Sequence, residues 1–537
     1  MVYCKLFEIF LCSEEEMKKE GASKKIKIAA MILNLTVIAA LMFMEAVFYN
    51  IVSYDNYLLL EYLPIKYIVF GEILLVVFSI VPFVVKRGFR SRIFSIILSI
   101  ILIIAMTGAG VLGIIKNAQI KNMFVKADET IDKIVNNSML ATDEYGVYVL
   151  KENKAKKLKH ALNYKFGFNS QYSAEDTGKV IAAIETKLTK IIDSQEINDP
   201  VLLGQKLVSG EVDAVILNQS LIDTIESAGD DTDDGKQNGE YAGFSDKIRC
   251  LYTITVENAL AAMNDKGNAT KRCFNVYISG IDTEGDVTVK SRSDVNIIMS
   301  VNPLTGKIVL ISTPRDYFVP LSISNGVRDK LTHAGNYGID VSMSTLEMLY
   351  GIEFDYYVRL NFTGFVNIID ALGGIDVVSD YSFTADGGYS YSEGLNENLS
   401  GIEALWFARE RHSFAEGDKQ RGRDQMKVIE AVIEKCQSEA LLNNYEEIFN
   451  NVSECLQTNM AKESIKSLVR FQLNRAPEWK IITYGVSGQG TSDYTYSVPN
   501  QRAYVMVPDD STVEQAKKLL EDNKNNKDVK EPESLKE

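Results

Sequence analysis

Three apolar runs near the N-terminus constrain this chain more than any other feature. They cover Ile28–Tyr49, Ile65–Val85 and Ile93–Ile115. Each is long enough to cross a bilayer as a helix, which takes about 20 residues. In hydrocarbon a backbone must satisfy its own N–H and C=O groups, so helices are the expected form. The first run has no small-residue cleavage site and two more follow it, so it reads as a retained anchor rather than a signal peptide. Lys18, Lys19, Lys24, Lys25 and Lys27 precede it, and Lys86, Arg87, Arg90 and Arg92 fill the second connection. Basic residues mark the inner side. Residues 1–27 are therefore expected to form a cytoplasmic tail and 28–116 three transmembrane helices. Everything after about Lys116 is expected outside, in a multi-pass protein of the cell membrane.

The chain has 537 residues, too many for one soluble domain. Its 72 acidic against 57 basic residues give a net charge of −15, which argues against nucleic acid as a partner. Residues 121–256 read as an accessory α/β domain. Tyr145–Leu150 alternates like a strand, and Thr177–Ile192 has helical periodicity. The stretch from Leu202 to Leu217 reads as helix, glycine stop and buried strand. The acidic run Gly229–Glu240 fits a solvated loop, since its spacing matches no calcium motif.

A second domain is expected over residues 273–521, with a disordered tail at 522–537. Strands are predicted at Phe274–Ser279, Val295–Val301, Lys307–Ser312, Tyr356–Leu360, Ile375–Val378 and Ala503–Val507. Helices are predicted at Met343–Tyr350, Phe365–Ala371, from Glu403, over Gln425–Cys436, and from an Asp510-Ser511 cap to about Leu520. The alternation implies a mixed α/β/α sandwich. The fold class is thus α/β, with the sandwich preceded by a three-helix membrane anchor and a smaller α/β domain. Outside the membrane lie Cys250, Cys273, Cys436 and Cys455, and four cysteines allow three pairings. Cys250–Cys273 with Cys436–Cys455 is the favoured set, beside four free thiols as the alternative.

Within the second domain, arginines and aspartates gather beside the apolar runs: Arg292 and Asp294, Arg315 and Asp316, Arg409 and Arg411, Asp418 and Arg421. Such neighbours commonly form structural ion pairs. Arginine forks also match phosphate oxygens, and paired aspartates suit Mg²⁺. Held outside a membrane, this combination points to chemistry on a phosphorylated lipid. Only three histidines occur, and none has zinc spacing.

The ordered motifs Ser279-Gly280-Ile281-Asp282, Arg292-Ser293-Asp294, Ser312-Thr313-Pro314-Arg315-Asp316, Lys330-Leu331-Thr332-His333-Ala334, Asn361-Phe362-Thr363-Gly364-Phe365, Ala371-Leu372-Gly373-Gly374-Ile375-Asp376 and Ala404-Leu405-Trp406-Phe407-Ala408-Arg409-Glu410-Arg411 follow one another, completed by Asp418, Arg421 and Gln425. In this order they resemble the LytR–CpsA–Psr family of bacterial cell-envelope phosphotransferases. The preceding spans and extra domain are similar to its CpsA-type branch, associated with capsular polysaccharide.

The resemblance implies transfer of a phospho-glycan, capsular or teichoic-acid-like, from a polyprenyl-pyrophosphate carrier to peptidoglycan. It implies a pyrophosphate clamp of Arg292, Arg315, Lys330, Arg409, Arg411, Arg421 and Gln425. Arg315, Asp316, Arg409, Arg411 and Asp418 are the implied catalytic residues, with Asp316 and Asp418 both candidates for the general base. Asp282 and Asp294 are the implied Mg²⁺ ligands. Capsule- or wall-assembly proteins are possible partners. One position departs from the family pattern: three residues after Arg421, where an arginine is common, stands Asp424. The same residues also admit a non-catalytic regulator that binds lipid-linked glycan.

Overall fold

In a computed structural model of the chain, the described residues are 128–135, 140–226, 243–259, 269–281, 287–437, 456–475 and 478–529, with isolated positions elsewhere. The three apolar runs lie largely outside them. Among the described residues no helix is long and apolar enough to cross a membrane. Asp282, Cys455, the acidic run 229–240 and residues 530–537 also lie outside. The chain divides into two units, 1–126 with 469–475, and 127–468 with 476–537. Among the described residues the second carries a five-stranded and a six-stranded sheet beside four two-stranded pairs, and the strands predicted at Ile375–Val378 and Ala503–Val507 fall in two of those pairs.

The first sheet contains β1 (Leu140–Leu150), β2 (Lys165–Phe168), β3 (Asp193–Glu196), β4 (Ala214–Asn218) and β5 (Ile248–Ala259), in the order β3-β2-β4-β1-β5. β2 runs parallel to β3 and β4, and β1 is antiparallel to β4 and β5. Helices α1 (Ala174–Leu188), α2 (Pro200–Val208) and α3 (Ser220–Glu226) pack on it, with short turns of helix at Leu158–Ala161 and Phe244–Lys247. Side chains alternate across a strand, so β4 feeds two cores. Val215 and Leu217 join α2 and α3 on one face, while Ala214 and Ile216 join α1 on the other. Every residue of β4 is buried, which explains its unbroken apolar run. α1 begins where the Ser173 side chain accepts from the Asp176 amide, and ends at Thr189, whose φ is 54°. It stops short of Ile192 because the following residues form β3.

The second sheet contains β6 (Phe274–Ile281), β7 (Ser293–Asn302), β8 (Lys307–Ser312), β9 (Tyr356–Asn361), β10 (Leu456–Thr458) and β11 (Lys480–Gly485), in the order β10-β9-β6-β7-β8-β11. The β6–β9 and β8–β11 pairs are parallel, and the remaining pairs antiparallel. Around it stand α4 (Ile339–Tyr350), α5 (Phe362–Ala371), α6 (Gly401–Arg409), α7 (Asp418–Cys436) and α8 (Asp510–Lys524). Tyr277, Ile298 and Ile311 pack with α4 and α8 on one face. Val276, Ile297 and Leu310 pack with Met426 of α7 on the other. The domain is a mixed α/β sandwich.

Some boundaries differ from the sequence expectation. α7 starts at Asp418 rather than Gln425, because its first turns bury charged and polar residues, Asp418, Gln420, Arg421 and Asp424, and so show no apolar period. α8 is capped by Asp509, whose side chain accepts from the Ser511 amide, not by Asp510. It also continues past residue 522 to Lys524. The favoured Cys250–Cys273 disulfide is absent, and Cys250, Cys273 and Cys436 are free thiols. Cys250 Sγ sits 3.4 Å from the Tyr252 carbonyl, whereas Cys273 Sγ sits 3.4 Å from Ser300 Oγ. The two thiols thus have separate surroundings, which sequence spacing does not reveal.

Candidate active site

The site is built where β8 ends and β7 begins. In the antiparallel β7–β8 register Ser312 lies opposite Ile297, and the Thr313 amide donates to the Asn296 carbonyl at 2.9 Å. Pro314 then starts a turn, closed by the Tyr317 amide on the Pro314 carbonyl at 3.2 Å. The turn brings Arg315 back toward Asp294, the second residue of β7. Arg315 Nη1 donates to Asp294 Oδ2 at 2.7 Å, and its Nε to Asp316 Oδ2 at 3.4 Å. Lys330 Nζ pairs with Asp316 Oδ1 at 3.2 Å, and the Thr332 hydroxyl donates to Asp294 Oδ1 at 3.0 Å.

The Asp294 and Asp316 carboxylates are firmly ionised. Burial pushes Asp294 up, but Arg315, Arg292 and Arg421 outweigh it and hold the carboxyl well below the usual range. Burial likewise opposes Asp316, and Lys330, Arg315 and Arg421 overcome it. Asp294, with burial opposing, lifts the Arg315 guanidinium well above its ordinary value.

α7 forms the facing wall. Gly422 lets it close on the end of β8, since a Cβ there would stand 2.7 Å from Ser312 Oγ. Asp418, Arg421 and Gln425 follow one another at helical spacing on that face. Arg421 and Asp418 are ion-paired. Asp294, Arg315, Asp418, Arg421 and Gln425 line one cleft of about 300 Å³ with Ser312, Thr313, Pro314, Lys419 and Gly422. Asp316 and Lys330 join it through Arg315.

Gln425 also donates to the Ala408 carbonyl at 3.4 Å, tying α7 to the end of α6. α6 is fixed at its start by a capping box of Ser400 and Glu403. It ends at Arg409, and Glu410 is extended. The Arg409 guanidinium lies 4.3 Å from the Phe362 ring centroid and 5.3 Å from that of Trp406. Arg409 and Arg411 stand outside the cleft lining. Arg292 is also absent from the cleft lining, though near enough to act on Asp294, and its Nη2 donates to Asp223 of α3 at 3.3 Å.

Several participants carried no signal in the sequence. Thr332 lies inside a noted motif, but its bond to Asp294 depends on the chain returning beside Arg315, where the Thr332 amide meets the Arg315 carbonyl at 2.8 Å. Phe362 and Trp406 lie inside noted motifs, but their place against Arg409 depends on the packing of α5 and α6. Asp223 lies in another domain altogether. His333 is buried, with Nδ1 2.7 Å from Asp329 Oδ1, while the Ser497 hydroxyl donates to Asp329 Oδ2 at 2.5 Å. Asp424 lies outside the cleft lining. Its Oδ1 accepts from Gln420 Nε2 at 3.0 Å, and burial, with Asp380 adding, pushes its carboxyl up to about 7.

Asp294 is ionised and lines the cleft, its Oδ1 accepting from the Thr332 hydroxyl and its Oδ2 from Arg315. Among the described residues, the one gathering of three metal-capable groups is Asp386, Glu410 and His412. There both Glu410 oxygens accept from backbone amides, those of Asp386 and Ser413 at 2.8 Å each, so this carboxylate braces a loop. At the cleft a cation would draw on Asp294 and on ligand oxygens, the manner in which Mg²⁺ binds beside phosphates.

The model of the LytR_cpsA_psr family matches residues 244–520. The polyisoprenyl-teichoic acid–peptidoglycan teichoic acid transferase TagU of Enterococcus faecalis is 34% identical over 216 residues, covering 40% of this chain and 70% of that protein. TagU of Bacillus mycoides is 31% identical over 229 residues, covering 42% and 74%. The crystal structure of B. subtilis TagV is similar with a TM-score of 0.39 and 28% identity, covering 48% of this chain and 98% of that one.

Proposed function

Since the chain belongs to the LytR–CpsA–Psr family, we propose that it transfers a phospho-glycan from a polyprenyl-pyrophosphate carrier to a hydroxyl of peptidoglycan. The observation that carries this reading is the cleft in which Arg315, clamped by Asp294 and Asp316, faces Asp418, Arg421 and Gln425.

The acceptor oxygen attacks the phosphorus attached to the sugar. The bond to the bridging oxygen breaks, polyprenyl phosphate leaves with the electron pair, and a phosphodiester joins glycan to wall. Negative charge grows on the bridging and equatorial oxygens, so fixed cations lower the barrier. Arg315 and Arg421 serve that role, with Lys330, Arg292, Arg409 and Arg411 completing the clamp and Gln425 donating to phosphate or holding the Arg409 segment. The acceptor's proton goes to a carboxylate. Asp316, paired with Lys330 and Arg315, and Asp418, paired with Arg421, are the two candidates. Mg²⁺, held by Asp294 and Asp282, would neutralise pyrophosphate charge. The basic residues around the apolar runs support a multi-pass anchor with this site outside, and the likeness to teichoic acid transferases supports a teichoic-acid-like or capsular polymer as cargo.

The test supplies the full-length chain with Mg²⁺, a polyprenyl-pyrophosphate glycan and peptidoglycan fragments, and follows glycan attachment by mass spectrometry. Attachment is expected, reduced roughly 10²–10³-fold in Arg315→Ala, the range for removing one transition-state donor. Arg409→Ala is expected to fall as well. Tight binding of the lipid-linked glycan without turnover would replace this reading with that of a regulator.

A further inference from the structure

Helix α3 belongs to the domain of the first sheet, yet its Asp223 carboxylate accepts from Arg292 Nη2 at 3.3 Å. Asp223 also lies before residue 244, outside the span matched by the family model. One arginine of the proposed clamp is therefore held by a neighbouring domain.

The pairing leaves that arginine poorly served. A charge-assisted contact typically closes to about 2.8 Å and an arginine favours two parallel bonds. Here a single bond spans 3.3 Å, and Arg292 Nε is buried without a hydrogen-bond partner. A phosphate group offers the two oxygens that this fork lacks. The carboxylate is equally ill at ease: burial pushes Asp223 up, Arg292 opposes, and Glu226 and Asp294 push it further. The surrounding surface is a seam between the domains. Asn336 donates to the Tyr172 hydroxyl at 2.8 Å, and the Tyr172 and Tyr337 rings meet edge to face at 4.8 Å.

We propose that Asp223 is a displaceable counter-ion of the phosphate clamp, through which the accessory domain responds to whether Arg292 holds a donor phosphate. The inference rests on the phosphate-donor reading above. When phosphate oxygens take Arg292 Nε and Nη2, Asp223 loses the Arg292 contact while the like charges of Glu226 and Asp294 remain, and the seat of α3 on the seam loosens. Asp223 acts through Arg292, so it is a positioning residue that sets donor affinity rather than a participant in bond exchange.

The test uses the full-length chain in detergent, with inorganic pyrophosphate as probe and calorimetry as readout. Asp223→Asn is expected to bind pyrophosphate about fivefold more tightly, the worth of one partly exposed ion pair. In turnover it lowers KM for the glycan donor and leaves kcat unchanged. A variant-independent measurement accompanies it: pyrophosphate raises amide exchange across residues 220–226 in the parent and not in Asp223→Asn. Equal or weaker binding by the variant, or unchanged exchange in the parent, overturns the counter-ion while leaving the transferase reading intact. No pyrophosphate binding by the parent, or binding indifferent to Arg315→Ala, overturns both.

Discussion

Arg315 is gripped by two carboxylates before any ligand arrives, so its guanidinium is aimed in advance and needs little reorganisation. Asp294→Asn removes the stronger grip. Steady-state kinetics should show kcat falling on the order of 10²-fold, with an unchanged circular-dichroism spectrum. Asp424 gives a pH-dependent outcome. Its carboxyl rises from an ordinary 3.8 to about 7 in the fold, so the folded state binds the proton more tightly than the unfolded chain. That contribution is fully present below the unfolded value and is lost as pH rises through about 7. Lys427, Arg423 and Asp380 face the same group. Asp424→Asn, which keeps the neutral form at any pH, should match the parent in melting temperature near pH 4 and exceed it near pH 8, by about 1–3 kcal/mol in stability. The cleft residues Asp294, Arg315 and Arg421 were legible because each sits in a motif beside a recognisable strand or helix. Asp223 was not, because nothing local in its helix distinguishes a surface aspartate from one that reaches another domain.

At the scale of elements, the site depends on close approaches that only glycine allows. The short helical turn Ala334–Tyr337 lies on the start of β7, and a Cβ on Gly335 would stand 2.5 Å from the Ser291 carbonyl oxygen and 2.8 Å from the Ser293 amide nitrogen. Backbone cannot rotate away as a side chain can. Gly335→Ala should therefore destabilise by about 1–3 kcal/mol, read by chemical denaturation, and displace Arg292 and Asp294 with the strand. Ser400→Ala, which removes the capping box of α6, should lower stability by about 1 kcal/mol. The central strands β1, β4, β6, β7, β8 and β9 were readable from apolar runs and turn residues, whereas short or polar strands such as β3 and β10 offered no such run. The first two turns of α7 were not, since Asp418, Lys419, Gln420, Arg421, Arg423 and Asp424 present polar residues on both faces: one face lines the cleft and the other carries the Gln420–Asp424–Lys427 group.

Over the larger of the two units, the domains are joined by more than a linker. Lys290 pairs with the buried Asp143 at 2.6 Å, the Thr142 and Thr288 hydroxyls meet at 2.8 Å, and Val498 enters the core of the first sheet's domain. Calorimetry should show these domains unfolding together. Asp143→Ala leaves the Lys290 cation poorly compensated, costs about 3 kcal/mol, and should separate the transition into two. Neither half of this seam announces itself in the sequence, because each partner is an ordinary strand or turn residue. Of the chain's two tryptophans, Trp479 packs on the second sheet, whereas Trp406 lies under the Arg409 cation. That asymmetry makes the protein its own optical sensor. Any anion that draws the guanidinium off the indole alters the field on one chromophore and spares the other, so occupancy of the clamp can be followed in unlabelled protein as a shift in emission that Trp406→Phe abolishes.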